Sequence, residues 1–219
     1  PASVAGTDQV VAPGAMVTLD GTASKAFASK TITSYQWTQT GGTPTVTLAT
    51  PTAAMTTFTA PATGSLTFRL RVTDSSTKVG DDSVVVRVNN APTVVDTADQ
   101  TVPVGTVVAF TVTGNDLDGD ALTYVAGSSS TVPLIALAPT GQFTWNTAGA
   151  APGTYTLTYF ATDSYSAQST SQTMTITLTP GASAANPPSS GGGGGALPLL
   201  PMLLLFALLG APAVRQRKQ

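Results

Sequence analysis

Three aspartates lie at alternate positions in one short stretch, and oxygen ligands at this spacing suit a hard cation. Asp116, Asp118 and Asp120 are separated by Leu117 and Gly119. A tight turn would let the three carboxylates converge, and Ca²⁺ takes about six to eight oxygen ligands. Without a cation the clustered charges would repel one another. The spacing therefore favours a calcium site, and the alternative is a solvated turn in which aspartate and glycine simply suit the backbone.

The composition of the chain excludes most catalytic chemistry. There is no cysteine, no histidine and no glutamate, so the chain lacks a thiol nucleophile and the usual general base. We therefore expect a protein that is not an enzyme. The residues before position 181 include eleven aspartates against six lysines and arginines, a net charge of −5. An acidic body argues against nucleic-acid binding, which needs clustered basic residues.

The elements that must position these aspartates are β-strands. Residues 66–72 alternate apolar and polar side chains, and residues 32–39 place Trp37 in the middle of a second alternating run. No segment before residue 181 shows a helical period. Short strands separated by turn residues predict a β-sandwich, and a large aromatic on an early strand is typical of immunoglobulin-like sandwiches.

An internal repeat predicts two such sandwiches in tandem. Residues 8–14 recur as residues 99–105, and residues 72–75 recur in the same order as residues 161–164. We therefore predict a first domain over residues 1–89 and a second over residues 90–180. The connection is short and Pro92 stiffens it, so we expect the domains to lie end to end.

Motifs along the predicted first domain carry a family resemblance. Residues 17–21, 35–39 and 72–74 read Val-Thr-Leu-Asp-Gly, Tyr-Gln-Trp-Thr-Gln and Val-Thr-Asp. With these motifs the domain resembles the PKD domains of bacterial surface proteins. The resemblance implies an immunoglobulin-like sandwich that acts as a spacer or as a binding module.

A second set of motifs runs through the predicted second domain. Residues 116–120, 141–145, 153–155 and 161–163 read Asp-Leu-Asp-Gly-Asp, Gly-Gln-Phe-Thr-Trp, Gly-Thr-Tyr and Ala-Thr-Asp. This order resembles the cadherin-like or dystroglycan-type immunoglobulin-like repeats of bacterial surface proteins. In cadherin-like repeats the calcium ion lies near the joint between domains. The resemblance implies a ligand set of Asn90, Asp116, Asp118, Asp120 and Asp163.

The last residues of the chain form an uncharged run with a basic end. Residues 196–214 would reach about 28 Å as a helix, close to the thickness of a bilayer core. The basic residues within 215–219 should stay cytoplasmic, which leaves the body of the protein outside. We predict a flexible linker over residues 181–195 and a single transmembrane helix in a sorting tail over residues 196–219.

Five glycines at positions 191–195 precede the apolar run. This order of glycines, apolar helix and basic end resembles the GlyGly-type C-terminal sorting signals of Gram-negative bacteria. The resemblance implies that a rhomboid-type intramembrane protease cuts near residues 191–196, so the protein is membrane-anchored or released after cleavage. The sequence begins without a methionine or an export signal, and we expect it to be the C-terminal part of a longer precursor.

These features predict a non-catalytic stalk or adhesion segment of an exported bacterial surface protein. The segment would bind calcium at the inter-domain joint and would present a site for a protein or polysaccharide ligand. The alternative is a polysaccharide-binding accessory region of a secreted hydrolase, in which aromatic side chains stack on sugars. Trp37 and Trp145 lie in alternating runs, which predicts core positions for both.

Overall fold

The computed structural model describes residues 1–133 and 136–181, and the fold in these ranges is built of β-strands. The predicted all-β, immunoglobulin-like class is confirmed. The predicted linker beyond Gly181 and the predicted transmembrane segment over residues 196–219 lie outside the described residues. Within the described part of the chain, no helix has the length and apolar character needed to cross a membrane.

The first half of the chain forms six strands in two sheets. They are β1 (Gln9–Val11), β2 (Met16–Asp20), β3 (Ile32–Gly41), β4 (Met55–Thr59), β5 (Ser65–Asp74) and β6 (Val79–Val88). The larger sheet has the order β1-β6-β5-β3, in which β1 runs parallel to β6 and the other neighbours are antiparallel. Strands β2 and β4 form the second sheet as an antiparallel pair.

The core of this half lies between the two sheets. Phe68 and Leu70 on β5 are fully buried, and Val17 on β2 and Phe58 on β4 contact them from the opposite sheet. Burial of one such side chain contributes about 1.5–3 kcal/mol to folding. Trp37 is 2 % exposed, which confirms its predicted core position.

Residues 89–133 and 136–181 form eight strands. They are β7 (Thr93–Val94), β8 (Gln100–Pro103), β9 (Val107–Thr111), β10 (Gly114–Asn115), β11 (Thr123–Ala126), β12 (Gln142–Asn146), β13 (Gly153–Thr162) and β14 (Gln172–Thr179). The largest sheet has the order β11-β13-β14-β8, in which β8 runs parallel to β14 as β1 does to β6. Strands β9 and β12 form an antiparallel pair, as do β7 and β10.

A separate core fills this second half. Phe143 is buried and stacks on Phe110 with ring centroids 4.6 Å apart, and Trp145 is 8 % exposed, as its alternating strand predicts. The short pairing of β7 with β10 sets Asn115 opposite Thr93, immediately after the connection between the two halves. The aspartate stretch therefore begins at the joint.

Candidate metal centre at the domain joint

The three clustered aspartates form one compact turn. The backbone N–H groups of Asp118 and Asp120 both donate to Oδ1 of Asp116, at 2.8 and 3.2 Å. Gly119 takes a φ of +78°, a left-handed conformation that suits glycine. One carboxylate oxygen from each aspartate lies within 4.8 Å of the other two. The convergence expected from the alternate spacing is present.

The second carboxylate oxygen of Asp116 has no hydrogen-bond partner. Asp116 is 9 % exposed, and its Oδ2 is buried among groups that do not donate to it. An unsatisfied buried charge is costly, and either a donor or a cation relieves that cost. In a turn without a cation, Oδ1 of Asp116 is sufficient to accept both N–H groups. Such a turn therefore does not explain why Oδ2 is buried without a partner. Oδ2 is therefore the strongest candidate cation ligand in the cluster.

Asn90 contacts the cluster through Asp118. Its backbone N–H donates to Oδ2 of Asp118 at 2.6 Å, and its side-chain amide lies 3.2 Å from each oxygen of the same carboxylate. Asn90 thus presents N–H donors to Asp118, while its side-chain Oδ1 and its backbone carbonyl keep lone pairs that a cation can use. The structure brings Asn90 to the site in the role of a group that orients Asp118.

Asp163 lies beside the cluster and is tied to the connecting segment. Its Oδ2 accepts a hydrogen bond of 2.8 Å from the side-chain amide of Asn89. Burial acts to raise the pKa of Asp163, but the amide of Asn89 and the N–H groups of Ala167 and Tyr165 outweigh it, so the pKa lies below its usual value. The next residue, Ser164, donates to Oδ1 of Asp120 at 3.2 Å. Asp163 therefore supports the joint and reaches the cluster through its neighbour.

Two further residues, Arg87 and Asn89, complete the joint and were not selected from the sequence. Arg87, near the end of β6, donates from Nη2 to Oδ2 of Asp120 at 2.8 Å, and this bond raises the pKa of Arg87. Asn89 is 7 % exposed, and its Oδ1 is buried without a partner, which gives the joint a second unsatisfied oxygen. The sequence feature that could have identified Arg87 is its position, because it is the last outward-facing residue of a strand that ends at the joint.

A small polar cavity lies next to these groups. It has a volume of about 140 Å³ and is lined by Gly64, Ser65, Arg87, Val88 and Asp118. A water molecule takes up about 30 Å³ in the liquid, so the cavity has room for several. The joint therefore offers oxygen ligands and space for the water ligands that calcium sites commonly include.

Comparisons with known proteins agree with the two halves of the fold. Residues 5–88 match a PKD domain family, and residues 89–178 match the bacterial Ig domain family. The chain is a tandem of a PKD-like domain and an immunoglobulin-like domain. The PKD domain from the KIAA 1837 protein is 32 % identical, over 39 % of this chain and 83 % of that one, with a TM-score of 0.36. No curated protein matches the sequence.

Two other solved structures resemble the PKD–Ig tandem at lower identity. The fibronectin(III)-like modules of CbhA from Clostridium thermocellum are 15 % identical, covering 78 % of this chain and 90 % of that chain, with a TM-score of 0.39. The extracellular cadherin domains 1–4 of protocadherin gamma B7 are also 15 % identical, covering 80 % of this chain and 49 % of that chain, with a TM-score of 0.34.

Proposed function

We propose that the PKD–Ig tandem is a non-catalytic stalk or adhesion segment of an exported surface protein, with a joint that calcium stiffens. PKD-like and immunoglobulin-like domains are of an extracellular type, and the sequence has no cysteine, histidine or glutamate. The apolar, basic-ended tail over residues 196–219 would anchor the segment in the membrane or be removed by a rhomboid-type protease. This part of the proposal is supported by the sequence pattern alone.

The observation that carries the calcium proposal is the buried, unpartnered Oδ2 of Asp116 within a cluster of three carboxylates. A divalent cation there would neutralise charges that otherwise repel one another. Asp116 and Asp120 belong to the second domain, whereas Arg87 and Asn89 come from the end of the first. An ion held by these carboxylates together with an oxygen of the connecting asparagines, such as the unpartnered Oδ1 of Asn89, would link the domains and restrict the angle between them.

Sugar binding through aromatic side chains is the weaker function. Both tryptophans of the chain are core residues, at 2 % and 8 % exposed, and so are not available to stack on a sugar. The two tryptophans therefore do not supply the platform that the polysaccharide-binding alternative would need.

The test is the thermal midpoint of the full chain with millimolar Ca²⁺, with Mg²⁺ and with a chelator. For a site with a Kd of about 10 μM, millimolar calcium adds about 2.7 kcal/mol. For a domain of about 90 residues this corresponds to roughly 10 °C or more. In Asp116→Asn the amide oxygen can still accept the two N–H groups, and the NH₂ group replaces the unpartnered oxygen. We expect this variant to fold normally and to lose the calcium shift.

Asp74→Asn is the matched control, because Asp74 accepts backbone N–H groups in the same way but lies outside the cluster. Its calcium shift should equal that of the wild type. A calcium shift no larger than the magnesium shift would reject the proposal, and so would an equal calcium shift in Asp116→Asn.

A further inference from the structure

A protein cation already occupies one end of the acidic cluster. The guanidinium of Arg87 binds Oδ2 of Asp120 at 2.8 Å, while Ser164 donates to the other oxygen of the same carboxylate. Both oxygens of Asp120 are therefore engaged by residues of the chain. The Arg87 side chain is about one-third exposed and Asp120 is 13 % exposed, so the pair is only partly screened by solvent.

Arg87 also contacts an aromatic ring. Its guanidinium carbon is 4.7 Å from the centre of the Tyr165 ring, close enough for a cation–π contact. Its Nε is buried with no hydrogen-bond partner, and Arg87 is one of the residues that line the polar cavity at the joint. The contact with Tyr165 does not use Asp120, so it can retain the guanidinium when a cation takes that carboxylate.

We propose that Arg87 is a built-in counter-ion of the acidic cluster, which closes the joint in the absence of calcium and competes with calcium for Asp120. This inference rests on the proposed calcium site and adds the residue that sets its affinity. A cation that takes Asp120 as a ligand must displace Nη2 of Arg87 or bind within a few ångströms of a positive charge. Either event weakens calcium binding, and the same ion pair stabilises the joint when calcium is low.

The competition predicts effects of opposite sign in one variant. Arg87→Gln removes the positive charge and keeps a polar, though shorter, side chain. Without calcium, the variant should have a lower thermal midpoint than the wild type, because the cross-joint ion pair is lost. With calcium, its affinity measured by titration calorimetry on the full chain should be about tenfold tighter, within the usual range of coupling between two binding events. If Arg87 had a purely structural role, Arg87→Gln would lower both the thermal midpoint and the calcium affinity.

Arg71→Gln is the matched control. Arg71 forms an ion pair with Asp81 at 2.7 Å on the same sheet, so this variant loses the same charge and the same kind of contact away from the cluster. Its calcium affinity should stay within about twofold of the wild type. A wild type that binds calcium, with Arg87→Gln no tighter than Arg71→Gln, would overturn the inference and leave the calcium proposal intact. Absence of calcium binding in both the wild type and Arg87→Gln would overturn both.

Should Arg87→Gln fail to fold, the wild type itself supplies the test. The Nε–H signal of Arg87 can be followed by NMR during a calcium titration, with the signal of Arg71 as the internal reference. We expect the Arg87 signal to move as calcium saturates the site while the Arg71 signal stays in place. Calcium saturation without movement of the Arg87 signal would contradict competition at Asp120.

Discussion

At the scale of single residues, three aspartates of the PKD–Ig tandem form the same turn but differ in the partner of their second carboxylate oxygen. One carboxylate oxygen of Asp74, Asp116 and Asp163 accepts N–H groups two and four positions ahead. The other oxygen of Asp163 is satisfied by Asn89, whereas that of Asp116 has no partner. The turn itself is therefore structural at all three positions, and the unsatisfied oxygen separates Asp116 as the candidate ligand.

Asp74 makes a contribution to the stability of the first domain that depends on pH. Burial acts to raise the pKa of Asp74, but the N–H groups of Ser76 and Lys78 bring it below its usual value. The unfolded chain, with a pKa of about 3.9, then takes up a proton before the folded chain does. The stabilisation is complete above about pH 4 and is lost as the pH falls through the lower, folded pKa. We expect the thermal midpoint of the wild type to fall more steeply than that of Asp74→Asn between about pH 4 and pH 2.

The asparagine in this variant keeps an oxygen that can accept both N–H groups, so the turn should survive and only the titration should disappear. The measurement is the difference between the two thermal midpoints across the pH series. A difference that stays constant from pH 7 to pH 2 would show that Asp74 does not contribute to acid unfolding.

The alternate spacing of Asp116, Asp118 and Asp120 was enough to predict that their carboxylates converge, because the interaction is local. The partners of this cluster could not be predicted in the same way. Arg87 is 33 positions from Asp120, and Asn89 is 74 positions from Asp163. Contacts at such separations depend on how two sheets end at the joint, which residue spacing does not encode.

At the scale of elements, a buried tyrosine on β13 fixes an irregular segment of the second domain. The hydroxyl of Tyr159 accepts the N–H of Thr97 at 2.9 Å and lies 3.1 Å from the carbonyl of Val95. Tyr159 is fully buried and both contacts are partly buried, so water would replace the hydroxyl only in part if it were removed. The segment between β7 and β8 forms no strand at these positions, and besides Tyr159 it is held by the hydrogen bond from the N–H of Val95 to the carbonyl of Thr113.

Tyr159→Phe should therefore destabilise the protein by about 1 kcal/mol, the usual net contribution of an intramolecular hydrogen bond. Tyr155→Phe is the matched control, because the Tyr155 hydroxyl donates to the carbonyl of Ala151 at an exposed position. Its effect should stay below about 0.5 kcal/mol. Urea unfolding of the two variants measures both values, and equal losses would contradict the assigned role of Tyr159.

Strand alternation made the long strands predictable, because one face of each is buried and the other is not. In β5 every inward residue from Leu66 to Val72 is buried, as the period-two pattern predicts. The parallel pairing of β1 with β6, and of β8 with β14, was not predictable from alternation. These are short strands of three and four residues, whose partners are chosen by the closure of the sandwich rather than by their own pattern.

At the scale of the whole molecule, consecutive parts of the connection each hold a different acidic group of the second domain. Arg87 binds Asp120, Asn89 binds Asp163 and Asn90 binds Asp118. The sequence analysis predicted a joint between residues 89 and 90 and selected Asn90 as the contributing asparagine. The structure buries Asn89 more deeply, with its amide directed at a carboxylate that is itself buried.

Asn89 should accordingly control the angle between the domains more than Asn90 does. In Asn89→Ala, Asp163 loses the donor to its buried Oδ2, and the first domain loses its buried contact with the turn after β13. In Asn90→Ala the backbone N–H still donates to Asp118, so most of that contact remains. The chain has no cysteine of its own. Cysteines introduced at the exposed positions Thr47 and Thr140, one in each domain, can therefore carry spin labels that report a single distance between the domains.

We expect pulsed electron resonance in calcium-free buffer to give a narrow distance distribution for the wild type and for Asn90→Ala, and a clearly broader one for Asn89→Ala. The reason is that a hinge held by several independent contacts loosens most when the buried one is removed, since water replaces an exposed hydrogen bond at little cost. Equal widths for the two variants would mean that the contacts through Arg87 and Asp118 are sufficient to hold the joint. Asn89 would then act only in folding, and its unpartnered oxygen would need another explanation.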